Sequence, residues 1–275
     1  MAELAMLIEA FGTERDHALA SRFEFRHTPK HTSSPSAAEI WVDADATRWY
    51  AYGLQECNMA PSRTRKVSLC GKELHGLQHI CAFFDSRKEM YDVLNPYFQE
   101  GIDIGDEVVT ILESSVHDDH VNRMQKGGVP VQDAIQRGQL KVVPSEQTYL
   151  QDNVFVADRM LSTLEGVLQG AAEGEFKSVR TCGDMEWALK SLPGTEDLMV
   201  YEAKVNTLAP KHDCTLLCCY DVNRFSGRVI ADVLATHSHV IIGGHVHENP
   251  YYLDPVTFLK KLALRRAPAP LANAG

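Results

Sequence analysis

The run HICAFFDSRKEMYDVLNPYFQ, His79 to Gln99, decides the fold. His79–Phe84 is a short apolar stretch of strand length, and Arg87–Gln99 follows with Met90, Leu94, Tyr97 and Phe98 at helical spacing. Pro96 predicts a bend in that helix, and Gly101 and Gly105 punctuate the turn after it. Between strand and helix stand Asp85, Ser86, Arg87, Lys88 and Glu89, with no glycine among them. A strand that feeds a helix through a nucleotide-gripping loop needs G-x-x-x-x-G-K-S/T, whose free backbone N–H groups cradle phosphate. The Gly71-Lys72 pair runs into Glu73 and has no upstream partner glycine. ATP hydrolysis therefore has no visible means.

The same alternation continues outward. Strands are expected at Glu107–Leu112, Leu140–Val143, Ser178–Cys182, Thr215–Tyr220 and Val240–Gly243. Helices are expected at Asp118–Lys126, Val131–Arg137, Val156–Ala172, Asp197–Leu208, Arg228–Thr236 and Val256–Leu264. The helix from Val156 is the clearest, with Met160, Leu161, Leu164, Val167, Leu168 and Ala171 on one stripe and Asp152 or Asn153 as approach cap. The strands are apolar without polar alternation, which predicts burial on both faces. The expected architecture is a three-layer αβα domain with a mostly parallel sheet and right-handed crossovers. On such sheets ligands bind at the carboxyl ends of the strands.

Three segments are expected: an irregular N-terminal extension over 1–64, the α/β domain over 65–264, and a flexible tail over 265–275. The extension carries a possible amphipathic helix at Ala2–Phe11, a loop from His27 to Ala38, and Trp41 and Trp49, a candidate moving or dimerising piece. The formal charge of −10 and the brevity of the basic stretch Arg63, Arg65, Lys66 argue against direct nucleic-acid binding. No stretch approaches the roughly 20 apolar residues that cross a bilayer, and Glu3 and Glu9 interrupt the N-terminal apolar residues as no signal peptide would allow. The cysteines are odd in number, seven, and most lie in strand-like runs, which fits reduced buried thiols in a cytoplasmic protein.

The candidate chemistry is sparse. His245 and His247 stand in an H-x-H on strand-like sequence, where both imidazoles share a face and can reach one ion. His79 and Cys81, with His75, form a second possible ligand set, and His117-Asp118-Asp119-His120 a third, although helix capping explains its carboxylates as well. Zinc would suit such mixtures; edge, loop or core roles remain open for all of them, and no cofactor is otherwise expected. No G-x-S-x-G elbow is present, and Cys182 before Gly183 reads as a structural thiol before a nucleophile.

From about Val67 to Leu262 the chain resembles the MEDS domain, the sensory domain of methanogens, methylotrophs and the dichloromethane-responsive regulator DcmR. His79–Phe84 resembles the family's opening H-x-C strand, and Pro96-Tyr97-Phe98-Gln99-Glu100-Gly101 its P-F-x-x-E-G turn. Gly138-Gln139-Leu140 with Tyr149 fits its third strand, and Arg180–Trp187 its G-E-M-x-W motif. Tyr201-Glu202-Ala203 resembles its Y-E-x, Cys219-Tyr220-Asp221 with Arg224-Phe225 its C-x-Y-D-x-x-R-F strand end, and Asn249-Pro250-Tyr251-Tyr252 with Pro255 its closing segment. Asp184 stands where the family tends to have Glu, and His245 and His247 where less polar residues are expected.

The resemblance implies a RecA/KaiC-like fold without a phosphate loop and a role in sensing small organic compounds. Relatives often carry a helix-turn-helix or a kinase-type ATPase; neither pattern is visible here, so output is expected through a separate regulatory protein or a homo-oligomer. Phe83, Phe84, Trp187 and Tyr220 are the candidate aromatic walls of a ligand pocket. Glu186, Asp221, Arg224, His245, Asn249 and Tyr251 are its candidate polar contacts. Trp187 fits a core role equally, Asp221 with Arg224 an ion pair capping the next helix, and Asn249-Pro250-Tyr251 a turn anchor. The alternative function is a metal-dependent hydrolase or lyase using His245 and His247.

Overall fold

The computed structural model describes residues 66–75, 79–176 and 178–267, all within the unit Arg63–Gly275. The expectations for the N-terminal extension, including Trp41 and Trp49, and for residues 268–275 lie outside the described residues.

A hairpin of β1 (Lys66–Leu69) and β2 (Lys72–His75) comes first. Then follow β3 (His79–Phe84), α1 (Arg87–Ile104), β4 (Glu107–Leu112), α2 (His117–Lys126), α3 (Val131–Gln136) and β5 (Leu140–Pro144). Next come α4 (Ala157–Glu173), β6 (Val179–Asp184), α5 (Leu198–Leu208), β7 (Cys214–Asp221) and α6 (Gly227–Thr236). The chain closes with β8 (His239–Ile242), β9 (His245–Glu248) and α7 (Pro255–Arg266).

Seven strands form one sheet in the order β5-β4-β6-β7-β3-β8-β9, parallel throughout except for the β8–β9 pair. Every residue of β3 and β4 is buried, as expected of strands covered on both faces. Alternate residues feed two cores. Cys81, Phe83, Cys218 and Tyr220 join the core that contains the apolar stripes of α4 and α5. Ile80, Ala82, Phe84, Leu217 and Cys219 join the one built on α1. The expected three-layer αβα arrangement is therefore present.

The strand and helix assignments from sequence hold with small shifts at their ends, and three differences have physical reasons. The helix from Arg87 does not stop near Gln99. It runs through Pro96 to Ile104, because Tyr97, Phe98, Gly101 and Ile102 are all buried against the sheet and that burial outweighs one missing hydrogen bond. The P-Y-F-Q-E-G segment is thus helix, and the turn comes at Gly105, left-handed at φ 89°. Second, Gly243 and Gly244, both at positive φ, reverse the chain after Ile242 and place His245 and His247 on a separate edge strand. Third, neither Asp152 nor Asn153 caps α4; they form a short 3-10 turn at positive φ, and the residue before the helix is Val156. The last helix extends to Arg266, so the start of the expected tail is helical and tied by Arg265 to Asp232 and by Arg266 to Asp197.

A buried cation locks the amino-terminal side of the sheet. Arg180 on β6 is almost wholly buried and bonds Asp106 Oδ2 at 2.7 Å, Glu100 Oε2 at 2.6 Å and the Tyr97 carbonyl at 3.1 Å. Its guanidinium also lies over the Tyr97 ring, 5.0 Å from the centroid. A Cβ on Gly101 would come within 2.8 Å of the Arg180 side chain, so this glycine is what lets the guanidinium pass. Arg180→Leu strips the charge partner from Asp106, and a loss of about 3–5 kcal/mol is expected in urea unfolding.

His120 on α2 is the corresponding lock on the α1 side, 2.6 Å from Tyr91 Oη and 3.0 Å from Thr110 Oγ1. Burial, reinforced by His117 and Arg87, lowers its pKa from 6.5 to about 4. The unfolded chain therefore binds this proton more readily. The associated stability is complete above pH 6.5 and is lost as pH falls toward 4, by roughly 3 kcal/mol. His120→Gln should unfold more easily at neutral pH but show a flatter pH profile of denaturation midpoints between pH 7 and 4.

Candidate functional site

The helix that follows β3 lies on one face of the sheet and the helix that follows β7 on the other, so the crevice between these neighbouring strands is a topological switch point. At its mouth, Ser86 Oγ accepts from Glu89 N, and Glu89 Oε2 accepts from Asp85 N at 2.9 Å. The start of α1 is thereby capped from within. Arg87, the first helical residue, points across to β6 and donates to Asp184 Oδ2 at 2.8 Å and Glu186 Oε2 at 3.2 Å. Arg224, from the loop after β7, also bonds Glu186 Oε2. Burial works against the Arg87 charge, and Asp184 and Glu186 more than offset it, so its pKa rises. Burial and the nearby Asp184 push Glu186 above the usual carboxylate range despite its two guanidinium neighbours. Asn223 Nδ2 ties the β7 loop to the Asp85 carbonyl.

These side chains leave a cavity of about 20 Å³, lined by Phe84, Arg87, Met90, Asp184, Cys219 and Asp221 among others. That is room for about one water. Three of the expected ligand residues, Phe84, Glu186 and Asp221, line it, and Arg224 closes it through Glu186. Tyr220 borders it but sends its hydroxyl to Glu202 in the α4–α5 core instead of forming an aromatic wall.

The other expected residues are placed elsewhere. Phe83 is in the α4–α5 core. Trp187 is fully buried, stacked on Tyr149 at 4.6 Å and packed on Phe155, which is the core role. Asn249 anchors a turn: its Nδ2 donates to the Leu234 and His237 carbonyls and its Oδ1 accepts from Tyr251 N. The Tyr251 ring itself is 68% exposed. Asp221 and Arg224 do not form the expected helix-capping pair. Asp221 accepts from Asn223 N, Arg224 serves Glu186, and Ser226 caps α6.

His245 and His247 are exposed on β9 with ring centroids 6.5 Å apart. No third ligand-type side chain joins them among the described residues. The His117–His120 cluster also disperses: His117 pairs with Asp118, Asp119 with Arg123, and His120 turns inward. A larger cleft of about 460 Å³ lies between the β1–β2 turn, α1 and the Gly243-Gly244 turn, and it contains none of the expected ligand residues.

The densest chemistry is inside the α4–α5 core. Parallel pairing sets Cys81 beside Cys218 and Phe83 beside Tyr220, so His79 and Cys81 share a face with Cys218 and Tyr220. Above that face Glu202 projects from α5, fully buried. His79 Nε2 is 3.1 Å and His237 Nε2 3.5 Å from Glu202 Oε2. Cys218 Sγ is 3.5 Å from His79 Nε2 and 3.7 Å from Glu202 Oε2, and the Tyr220 hydroxyl donates to Glu202 Oε1. Burial alone would raise the Glu202 pKa; His237, His79 and Tyr220 outweigh it and hold the carboxyl below its usual range. Burial and the neighbouring His79 drive His237 down to about 3.

Among the described residues, His79, Glu202, Cys218 and His237 are the one group of three or more side chains able to converge on a metal. Of the expected ligands only His79 belongs to it. Cys81 directs its thiol toward the His239 carbonyl, 3.7 Å away. Cys218 and His237 were not expected as ligands, and Glu202 stood only within the Y-E motif. The signal for Cys218 was its i, i+2 spacing to Tyr220, which makes Cys218 the cysteine of the C-x-Y pattern, not Cys219.

Comparison with known proteins agrees with this fold. Residues 78–238 match the family described as MEDS, MEthanogen/methylotroph, DcmR Sensory domain. The transcriptional repressor DcmR of Methylorubrum extorquens (strain DSM 6343 / CIP 106787 / DM4) is 29% identical over 174 residues, 62% of this chain. The match spans 62% of that protein's own length. The KaiC-like protein PH0186 of the hyperthermophilic archaeon Pyrococcus horikoshii OT3 superposes with a TM-score of 0.50 at 15% identity, over 66% of this chain and 80% of that one. This likeness shows a KaiC-like fold. With more than half its length matched, the chain belongs to the MEDS family of sensory domains.

Proposed function

We propose that this chain is a regulatory sensory domain that binds a small organic molecule at the carboxyl ends of β3, β6 and β7 and reports it to a partner, with no catalytic turnover of its own. The observation that carries the reading is the closed ion network Asp184–Arg87–Glu186–Arg224. It occupies the switch-point crevice in place of a phosphate cradle. A ligand with a polar group competes with Glu186 for Arg224 and lays its apolar part over Phe84, Met90 and Cys219. Arg224 leads into α6, and Asn223 of the same loop holds the start of the α1 connection, so opening the pair changes how the two helices are tethered.

A regulatory role is supported by the relative named as a repressor. The formal charge of −10 favours a protein partner, either a separate regulator or a second copy, over direct contact with nucleic acid. Buried reduced cysteines at Cys81, Cys182, Cys218 and Cys219 fit a reducing cytoplasm.

A thermal-shift screen of small organic molecules tests the site. A true ligand at 100 times its Kd adds about 2.7 kcal/mol, hence roughly 5–10 °C in Tm. Arg224→Ala, at a half-exposed pair, should cost under about 1 kcal/mol yet remove that response. Mg²⁺-dependent ATP turnover by the purified chain would overturn the reading.

A further inference from the structure

Two histidines in the α4–α5 core turn their Nε2 atoms toward one carboxylate oxygen. His237 Nδ1 is 2.8 Å from the Val233 carbonyl, which can only accept, so Nδ1 donates, and in the neutral ring Nε2 is the acceptor. His237 Nε2 is fully buried and has no hydrogen-bond partner among the described residues; Glu202 Oε2 lies 3.5 Å away. His79 Nδ1 is 3.3 Å from Asn206 Oδ1, and Asn206 spends its amide hydrogens on the Glu202 and Thr236 carbonyls. The His79 Nδ1 is therefore also the donor, and its Nε2 too faces Glu202 Oε2. A proton on His79 would satisfy that contact and leave His237 opposed to the same oxygen. One cation between them satisfies both.

We propose that His79, Glu202, Cys218 and His237 form a closed binding site for one divalent transition-metal ion of the zinc class. The donor atoms all lie within 4.8 Å of one another. Tetrahedral coordination at zinc bond lengths separates nitrogen from oxygen by about 3.3 Å and sulfur from either by about 3.6 Å. Four of the six edges are 3.1 and 3.5 Å for nitrogen to oxygen and 3.5 and 3.7 Å to sulfur, and the two from His237 to His79 and to Cys218 are within 4.8 Å.

Charge balances as well. Binding displaces the Cys218 thiol proton to solvent, and one thiolate plus one carboxylate neutralise a divalent ion in a core where net charge is costly. The sulfur and two imidazoles select against Mg²⁺ and Ca²⁺. Outer partners are in place: Val233 and Asn206 fix the two rings, and Tyr220 holds the second Glu202 oxygen. All four positions come from protein, which is the pattern of a structural site. The ion would fasten β3, β7, α5 and the link between α6 and β8. This site is distinct from the strand-end crevice and stands independently of it.

Co²⁺ titration of the chelator-treated full chain tests it. One equivalent should bind with visible tetrahedral bands and a near-ultraviolet thiolate-to-cobalt band, zinc should displace it, and Tm should rise. Cys218→Ser should lose the thiolate band. His237→Ala should weaken binding by more than the roughly 10–100-fold that loss of an outer partner costs. The variant His245→Ala/His247→Ala should leave the spectrum unchanged. Absence of a saturable tetrahedral spectrum from the folded wild-type chain overturns the proposal without reference to any variant. So does a signal that survives Cys218→Ser unaltered or that vanishes with His245 and His247.

Discussion

The parallel pairing of β3 with β7 is the constraint on which everything else in this molecule rests. Its register fixes at one stroke which side chains enter each core, which converge on Glu202, and which emerge together at the strand ends. Because side chains alternate along a strand, a one-residue slip of β3 would send His79, and of β7 Cys218 and Tyr220, to the α1 face and strip Glu202 of those neighbours. Full burial on both faces makes such a slip prohibitive.

That pairing also explains why two polar centres coexist in one sheet without interfering. The ion network of Arg87, Asp184, Glu186 and Arg224 sits where the strands end and is partly exposed, so its charges are moderated by water and free to exchange partners. The Glu202 cluster sits mid-sheet and is wholly enclosed, where an unbalanced charge is expensive and geometry is held tightly. One is suited to response and the other to permanence.

Much of the architecture was legible because the strands are apolar runs and the helices carry clear stripes, as in Leu164 and Leu168 on α4. The first helix runs past the Gln99 end that its local pattern predicts, because burial of Gly101 and Ile102 outvotes local propensity, a tertiary effect. Glu186, Asp221 and Arg224 were placed at the crevice mouth from their position at strand ends, a rule of topology. No such rule marks Glu202 and His237, since they lie on α5 and just before β8 and meet His79 only through folding. Asn249 and Trp187 show the opposite hazard: residue types that suggest recognition but satisfy a turn and a core.

The link between β3 and α1 consists of Asp85 and Ser86 alone, whereas a phosphate-wrapping loop takes about eight residues. That this junction has no phosphate-wrapping loop is thus written in chain length. No exchange of side chains at this junction can reverse it, for there is no backbone to bend around an anion. Building such a loop here would demand an insertion, and one that also unseats the capped helix beside it.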